Sequence, residues 1–363
     1  FLMRNIRIFF KNIYKYWIHS FFKVLYGHIS YNIEYVPDPN LIIKKVKSKY
    51  LVNSKNNNYN IYNVVGGKIY TDYVENVAII NKQKIVNEAS FQQVDGKLKN
   101  AEFNCVINKG TPSFQKKING NILSLTQGAS GHKNYFHWLF DILPKIKIFS
   151  EEYDMQSIDF FYLAKLQPYQ KKTLEILKLD RIKILDCNKY RHIVGKQIFS
   201  VDHPWYLNGY ISEEAKNLSN WIVPWIKKKF LHHSEYFESN EKIFLDRSES
   251  PYNHCQIANN SEVIEFLNKK GFTSYKVGQL SFEQQIHLFK NAKVIVGAHG
   301  AAFANLTFCN SGTQVIEIKP IHHPNYVSKT IGKINNLKVK IIETPKYENY
   351  NINLDINELN KNL

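Results

Sequence analysis

The sequence has little of what marks secreted or membrane-spanning chains. Its 4 cysteines form no Cys-x-x-Cys pair, which excludes a readable disulfide framework or zinc ribbon and predicts free thiols in a reducing compartment. No uninterrupted apolar run approaches the roughly 18 residues of a membrane span. No small-residue cleavage site follows an apolar core near the first residues. We therefore expect neither a secreted nor a membrane-spanning protein.

What the chain does have is length, positive charge and apolar side chains. Its 363 residues allow about two domains at roughly 150 residues each. Lys and Arg number 48 against 31 Asp and Glu, a net charge of +17. Because 44% of the residues are hydrophobic and 14% are aromatic, a disordered basic tail is excluded. The composition predicts a folded, basic, globular protein.

Residues 1–30 carry a helical pattern of their own. Apolar side chains recur at helical spacing at Ile6, Phe10, Ile13, Trp17, Phe21 and Leu25. The same stretch contains no acidic residue, and its basic residues are Arg4, Arg7, Lys11, Lys15 and Lys23. Two interpretations stay open: an amphipathic helix on an anionic membrane surface, or a helix packed on the body of the protein.

Alternating strand and helix patterns after residue 130 predict an α/β fold with parallel sheets. The simplest architecture is two Rossmann-like halves that face each other across a cleft. We expect the N-terminal half over residues 31–235 and the C-terminal half over residues 236–345, divided near a polar, unpatterned stretch. The tail, residues 346–363, is expected to pack back on the first half.

Ligands of open α/β sheets bind beyond the carboxyl ends of the strands, and one turn fits that position. An apolar strand is followed by Gly297, His299 and Gly300, and Ala301 opens a predicted helix. Small residues let the backbone approach a ligand, and a helix N-terminus favours phosphate. The alternative is a tight turn that serves only the packing of helix on sheet.

A predicted helix near residues 135–150 carries the candidate general base. Asn134 can cap this helix, with His137 near its first turn and Asp141 one turn later. A histidine oriented by a carboxylate suits a base that deprotonates a hydroxyl. A zinc site that adds His132 is disfavoured because His132 lies off that face. The alternative is a packed helix in which the two side chains only satisfy each other.

Arg247 directly follows the strand of residues 242–246. A guanidinium at the end of a parallel strand can bind phosphate oxygens with two nitrogens. The alternative role for Arg247 is a salt bridge to Asp246 or Glu249.

These segments together resemble glycosyltransferase family 61, whose members build capsular and other surface polysaccharides. The resemblance rests on four motifs in the family's order, which cover about residues 130–320. They are NYFHWLFDILP (134–144), FLDR (244–247), LSFEQQ (280–285), and GAHGAAFANLTF (297–308) running on to VIEI (315–318).

The resemblance implies a GT-B architecture and an inverting transfer from a nucleotide sugar, a UDP-sugar or another nucleoside-diphosphate sugar, with no metal or other cofactor required. It places the donor in the second half and the acceptor in the first. The residues it assigns to the donor are Arg247, Gly297, His299, Gly300, Ala301, Asn305 and Glu317. Those it assigns to the acceptor side are Asn134, Tyr135 and Trp138. Whether His137 or Asp141 is the base stays open.

One departure from the family concerns the stretch after Arg247. Many relatives have a basic R-R-x-x-N-E stretch there, whereas this chain has SPYNHCQIANNSE over residues 250–262. A second phosphate-neutralising arginine is therefore missing, and His254 is the candidate substitute.

The expected function is transfer of a sugar to a saccharide or lipid-linked saccharide in bacterial surface polysaccharide synthesis. The expected location is the cytoplasm, at the inner face of the cytoplasmic membrane. The alternatives are a sugar-nucleotide-binding protein without catalysis and a basic nucleic-acid-binding protein. The second is disfavoured because the sequence contains no RRM, KH or helix-turn-helix signature.

Overall fold

A computed structural model describes most of the chain. The described residues are 2–31, 38–72, 76–90, 92–94, 97–126, 133–205, 218–249, 255–321, 323, 326–345 and 351–363. The chain forms two compact units. Unit 1 comprises Phe1–Lys133, Phe140–Leu166 and Leu179–Ser212. Unit 2 comprises Asn134–Leu139, Gln167–Lys178 and Glu213–Leu363.

This division corrects the expected boundary near residue 235. Unit 2 takes two short segments from the first half of the sequence, since hydrogen bonds and an ion pair hold them to unit 2. The Tyr135 hydroxyl donates to Asn305 Oδ1 at 2.6 Å. Lys172 Nζ lies 2.8 Å from Glu283 Oε1. The arrangement of the units across a cleft stays a prediction.

Unit 1 is built on a mixed sheet of nine strands. Its strands are β1 Leu41–Lys45, β2 Asn60–Val65, β3 Lys68–Thr71, β4 Val77–Asn81, β5 Lys84–Ile85, β8 Lys116–Ser124, β9 Phe160–Leu163, β10 Lys183–Asp186 and β11 His192–Val201. The strand order is β10-β9-β8-β11-β3-β4-β5, and β2 joins β1 to β11. A separate hairpin pairs β6 Gln92–Val94 with β7 Lys97–Lys99.

Only part of this sheet matches the predicted Rossmann-like half. Strands β10, β9, β8 and β11 are parallel, as alternation of strand and helix predicts. The pairs that involve β1 to β5 are antiparallel, and short turns connect β3 to β4 and β4 to β5. Strand β11, absent from the sequence-based prediction, has a register shift between Gly195 and Gln197 that interrupts the alternation of its side chains.

Unit 2 contains a five-stranded sheet in which every pair is parallel, which confirms an α/β fold with a parallel sheet. Its strands are β12 Lys242–Leu245, β13 Thr273–Tyr275, β14 Val294–Ala298, β15 Gln314–Pro320 and β16 Lys338–Thr344, in the order β13-β12-β14-β15-β16. Its strands and helices alternate along the chain. The longer α-helices of this unit are Pro168–Ile176, Ile222–Phe230, Asn260–Lys269, Phe282–Asn291, Val327–Ile334 and Ile356–Asn362.

The helices of unit 1 are fewer. They are Leu2–Tyr26, Cys105–Lys109 and Leu143–Ser150. The last continues a helical segment that begins in unit 2 with Tyr135–His137 and passes through a π-helical turn, Trp138–Ile142. Pro144 lies two residues after this turn and has no N–H to donate to the preceding turn, so the π-helical turn stands where the kink is expected. Short 3-10 helices occur at Asn87–Ala89, Ala101–Phe103, Met155–Ser157, Leu231–His233 and Val277–Gln279.

The tail belongs to unit 2, which corrects the expectation that it packs on the first half. Ile352, Leu354 and Leu359 are buried in the same apolar cluster as Phe244 of β12. Ile352 also forms a parallel bridge with Ile257. The tail packs there because these apolar side chains complete the core of the parallel sheet.

Among the helices of the described ranges, none combines the length and the apolar character that crossing a membrane requires.

Candidate functional site

The parallel sheet of unit 2 brings three strand ends to one edge. Leu245 of β12 pairs in register with Gly297 of β14, and Gly297 pairs with Glu317 of β15. A Cβ on Gly297 would lie 2.8 Å from the Cβ of Leu245, so packing between neighbouring strands requires glycine here. The residues after these strands therefore meet at a single edge, where open α/β sheets bind ligands.

The closest approach at this edge joins Arg247 to Gly300. A Cβ on Gly300 would lie 1.2 Å from Nη1 of Arg247, so the guanidinium lies directly on the glycine backbone. Burial lowers the pKa of Arg247 below its ordinary value. A guanidinium nonetheless stays charged at neutral pH. The turn therefore holds the half-buried Arg247 cation against the backbone of Gly300.

The salt-bridge alternative for Arg247 names two carboxylates, and both have other partners. Asp246 Oδ1 accepts from the Ser248 backbone N–H at 2.9 Å and from Asn260 Nδ2 at 3.0 Å. Glu249 Oε1 lies 2.7 Å from Lys276 Nζ. These contacts hold the loop that follows β12 in place.

A small cavity lies beside this turn. Its volume is about 130 Å³, and its lining residues are Phe244, Leu245, Arg247, Ser248, Gln256, Ile257, Asn260 and Ala298. Pockets for drug-sized molecules start at about 300 Å³. The cavity thus fits a group the size of a phosphate rather than a whole nucleotide, and Arg247 supplies the charge of its lining.

His299 is held by a buried carboxylate. Its Nδ1 lies 2.5 Å from Glu317 Oε1, and because a carboxylate only accepts, Nδ1 carries the proton. Ser328 donates from its hydroxyl to the other oxygen, Glu317 Oε2. Glu317 is almost completely buried. Glu317 therefore orients His299, and its assignment to the donor stays a prediction.

The predicted α-helix after Gly300 is a 3-10 helix, Ala301–Phe308. Its first bond runs from the Phe303 N–H to the Gly300 carbonyl, at 3.1 Å. The expected α-helical N-terminus at Ala301 is thus wrong, and the field of a long helix does not reach the turn.

Asn305 lies on the buried side of this 3-10 helix. Its Oδ1 accepts from the Tyr135 hydroxyl at 2.6 Å, and its Nδ2 donates to Gln285 Oε1 at 3.0 Å. Both ends of the amide are therefore used inside unit 2, and the assignment of Asn305 to the donor stays a prediction. Tyr135, expected on the acceptor side in the first half, lies in unit 2, and burial raises its pKa.

The first turn of the helical segment belongs to this arrangement. Asn134 caps it as predicted, because its side chain accepts from the Phe136 and His137 backbone N–H groups at 2.9 and 3.3 Å. Trp138, also assigned to the acceptor side, is buried and donates from Nε1 to Thr173 Oγ1 at 2.8 Å. His137 is half-buried. The Tyr135–Asn305 bond ties its turn to the segment that follows Gly300.

Asp141 lies in unit 1 and is completely buried. Trp205 donates from Nε1 to Asp141 Oδ1 at 2.7 Å, and His203 Nε2 lies 3.5 Å from Oδ2. Lys145 is buried nearby, and burial lowers its pKa to about 7, against the opposing effect of the Asp141 charge. Asp141 is therefore part of an interior cluster and not an exposed base.

Sequence reasoning missed His203 and Trp205. Both follow β11, the strand that was not predicted, so their position at a strand end was not recognised. The sequence signal for them was the His-Pro-Trp run directly after an apolar strand.

Across the part of the chain that the structure describes, no group of three or more His, Cys, Asp or Glu side chains is placed to hold a metal ion. His132 and His254, named in the zinc and phosphate hypotheses, lie outside the described residues.

The site residues coincide with a known family profile. The profile described as Glycosyltransferase 61 matches residues 135–316, half of the chain. The chain belongs to the glycosyltransferase 61 family. It is thus a glycosyltransferase that takes a sugar donor and an acceptor, and the resemblance inferred from the motifs is confirmed. No curated protein matches the chain.

The structure explains why this glycosyltransferase carries the LSFEQQ motif. Ser281 caps helix Phe282–Asn291 in a reciprocal pair with Gln284, each bond being 3.1 Å long. Phe282 is buried, and Gln285 accepts from Asn305. Asn305 also accepts from Tyr135, 170 positions away, so residues of three motifs bond to one another.

Proposed function

We propose that this glycosyltransferase uses a nucleoside-diphosphate sugar and binds the diphosphate at the turn formed by Arg247 and Gly300. The observation that carries the proposal is the guanidinium of Arg247 lying on the Gly300 backbone, beside a cavity of phosphate size. A guanidinium can donate two parallel hydrogen bonds to phosphate oxygens.

The leaving group needs positive charge as the glycosidic bond to phosphate breaks. Arg247 supplies this charge in a half-buried place, where its electrostatic attraction to a phosphate is stronger than in water. His299, fixed by Glu317, stands between Gly297 and Gly300 and is the second group suited to contact the donor. His254 stays the candidate for the missing second cation, outside the described residues.

We propose His137 as the general base of an inverting transfer. The acceptor hydroxyl loses its proton to the imidazole while its oxygen bonds to the anomeric carbon. The bond from that carbon to the diphosphate oxygen breaks, and the diphosphate leaves with the electron pair. His137 is half-buried and lies in the unit that holds Arg247, whereas Asp141 is completely buried. The burial favours His137 over Asp141 as the residue that touches the acceptor.

We also propose that transfer needs no metal ion, with Arg247 and backbone N–H groups stabilising the diphosphate. The sequence contains no Asp-x-Asp motif of the kind that holds a divalent cation on a sugar nucleotide. Activity should survive chelation by EDTA. Loss of transfer in EDTA with recovery on adding Mn²⁺ would show that a cation is part of the site.

The motif resemblance supports a biological setting as well. We propose that the acceptor is a saccharide or lipid-linked saccharide of a bacterial surface polysaccharide, and that the units adopt the GT-B arrangement. The linkage formed should be inverted relative to the donor.

A panel of nucleotide sugars tests the proposal. Each compound is mixed with the purified protein and the unfolding temperature is recorded. A donor at 100 times its Kd stabilises the folded state by about 2.7 kcal/mol, so the donor class stands out from the rest. The responding donor is then offered to saccharide acceptors, and NMR of the product reports the anomeric configuration. No response to any nucleoside diphosphate would refute donor binding, and retained configuration would refute the inverting mechanism.

A further inference from the structure

The helix Leu2–Tyr26 leaves much of its apolar surface uncovered. Residues 5–17 are all exposed, although large hydrophobic side chains make up most of them. Trp17 is 68% exposed and Phe10 is 64% exposed. The exposed hydrophobic residues of this stretch are Ile6, Ile8, Phe9, Phe10, Ile13, Tyr14, Tyr16 and Trp17. Soluble proteins rarely expose so large a continuous apolar patch without a use for it.

The last third of the same helix is docked on unit 1. Phe22 is buried against Phe114, with ring centroids 5.1 Å apart, and Tyr26 packs on His192 at 4.9 Å. His19 Nδ1 lies 2.8 Å from the Lys109 carbonyl oxygen. The interpretation that the helix packs on the body therefore holds for this part only.

The docked and uncovered faces of the helix lie on different sides. Ile6, Phe10, Ile13, Trp17, Phe21 and Val24 follow three- and four-residue steps and form one face. This face stays uncovered beside the docked part, where Val24 is 89% exposed. Phe21 is 55% exposed, although its ring lies 6.5 Å from the ring of Phe114 in unit 1, so most of the apolar face points away from unit 1.

Basic side chains border that face. Arg7, Lys11 and Lys15 follow four-residue steps, so they form one exposed stripe. Residues 1–33 contain no acidic residue at all. Aromatic and apolar side chains next to a basic stripe are typical of helices that lie at the surface of an anionic membrane.

We propose that this helix binds the surface of an anionic lipid bilayer, with its apolar face in the headgroup and acyl boundary and its basic stripe on the lipid phosphates. Charge decides between the available partners. A second copy of the helix would bring two basic stripes together, whereas anionic lipid satisfies both stripe and apolar face. A helix with an apolar face beside a basic stripe lies in the plane of the membrane surface. The inference is independent of the proposed donor and base.

The docking contacts make this surface a fixed part of unit 1. Gln83 Nε2 donates to the Tyr26 carbonyl oxygen at 2.7 Å, and the Gln115 backbone N–H donates to the Tyr26 hydroxyl at 2.8 Å. The helix end is therefore held from two sides. Membrane binding through this helix would hold unit 1 at the bilayer, where lipid-linked acceptors are found.

Flotation of the full chain with lipid vesicles tests the inference. The vesicles are phosphatidylcholine alone or phosphatidylcholine mixed with phosphatidylglycerol, at low and high salt. We expect binding to the anionic vesicles only, and weaker binding at high salt, because the Debye length falls from about 10 Å at 0.1 M to about 3 Å at 1 M. Lys11→Gln with Lys15→Gln should weaken binding about 25-fold, since each basic residue near the surface contributes about 1 kcal/mol, or about fivefold.

A second variant tests the apolar face. Phe10→Glu with Trp17→Glu should abolish flotation and leave the unfolding temperature unchanged, because both side chains are exposed. Tyr50→Glu, at an aromatic residue 86% exposed elsewhere in unit 1, is the matched control and should bind as the wild type does. Equal binding to both vesicle types, or full binding by either double variant, would overturn the proposal. The proposal would also be overturned if the wild type formed a dimer in sedimentation equilibrium and did not bind vesicles, and if the Phe10 and Trp17 variant did not form that dimer.

Discussion

Arg247 of unit 2 and Asp141 of unit 1 differ in how completely they are buried. In unit 2, an all-parallel sheet ends at one edge, where Arg247 stays half-buried beside a cavity. In unit 1, Asp141 and Lys145 lie wholly inside, with His203 and Trp205 around the carboxylate. A group that meets a ligand must keep one side open, whereas a group that only holds structure can be enclosed. This difference in burial supports the proposal that unit 2 contacts the donor and that Asp141 holds structure.

The helical segment from Tyr135 to Ser150 shows the same contrast over four residues. His137 is half-buried in unit 2, and Asp141 is enclosed in unit 1. The sequence placed the two on one helical face as a catalytic pair. The partners that the structure gives Asp141 come instead from the end of β11.

The largest expected effect is on catalysis at His137. His137→Ala should lower turnover of the nucleotide sugar about 10²- to 10⁴-fold, the range for losing a general base, and leave donor affinity unchanged. Steady-state kinetics with the donor from the panel measures it. His232→Ala, at an exposed histidine of unit 2, is the control and should keep full turnover. Near wild-type turnover in His137→Ala would remove this residue from the reaction.

The meeting of the strand ends was predictable from the sequence. Gly297 lies within β14, Gly300 and Arg247 follow β14 and β12, and parallel strands fix where their ends meet. The hydrogen-bond partners of Asn305 and Glu317 were not predictable, because Tyr135, Gln285 and Ser328 lie on other elements of the fold. Single-sequence patterns carry no information about such pairings.

The second effect concerns stability. Asp141→Asn should lower the free energy of unfolding by about 3 kcal/mol, since it disturbs a buried charge with hydrogen-bonding neighbours. Urea unfolding measures it, with Asp180→Asn, at an exposed carboxylate, as the control that should change little. Turnover per folded molecule should fall less than in His137→Ala. An intact fold with a turnover loss as large as that of His137→Ala would instead make Asp141 the base.

The antiparallel part of unit 1 was the hardest to predict. Strand β11 pairs on both sides yet has a glycine and a bulge in its middle, so its alternation is broken. Without that strand, neither the mixed sheet nor the position of His203 follows from the sequence. The tail was misplaced for a related reason, because loose helical spacing identifies an apolar face but not the unit it packs on.

The smallest effect is a pH dependence of stability from Lys145. Burial lowers its pKa from 10.5 to about 7, so between these values the unfolded chain binds a proton that the folded chain does not. The free energy of unfolding should therefore increase as pH rises above about 7, by up to about 1.4 kcal/mol per pH unit. Lys145→Met should show a flatter profile than the wild type in urea unfolding at pH 7, 8 and 9. Identical slopes would mean that Lys145 is not held neutral in the interior.

We infer that Arg247 on the Gly300 backbone binds the donor diphosphate, and titration calorimetry tests this inference most directly. The nucleoside diphosphate identified by the panel is titrated into wild type, Arg247→Ala, and the control Arg181→Ala at an exposed arginine of unit 1. We expect Arg247→Ala to lose about 1.5–3 kcal/mol of binding free energy, the typical contribution of a charged hydrogen bond, and Arg181→Ala to lose none. Unchanged affinity in folded Arg247→Ala would contradict it.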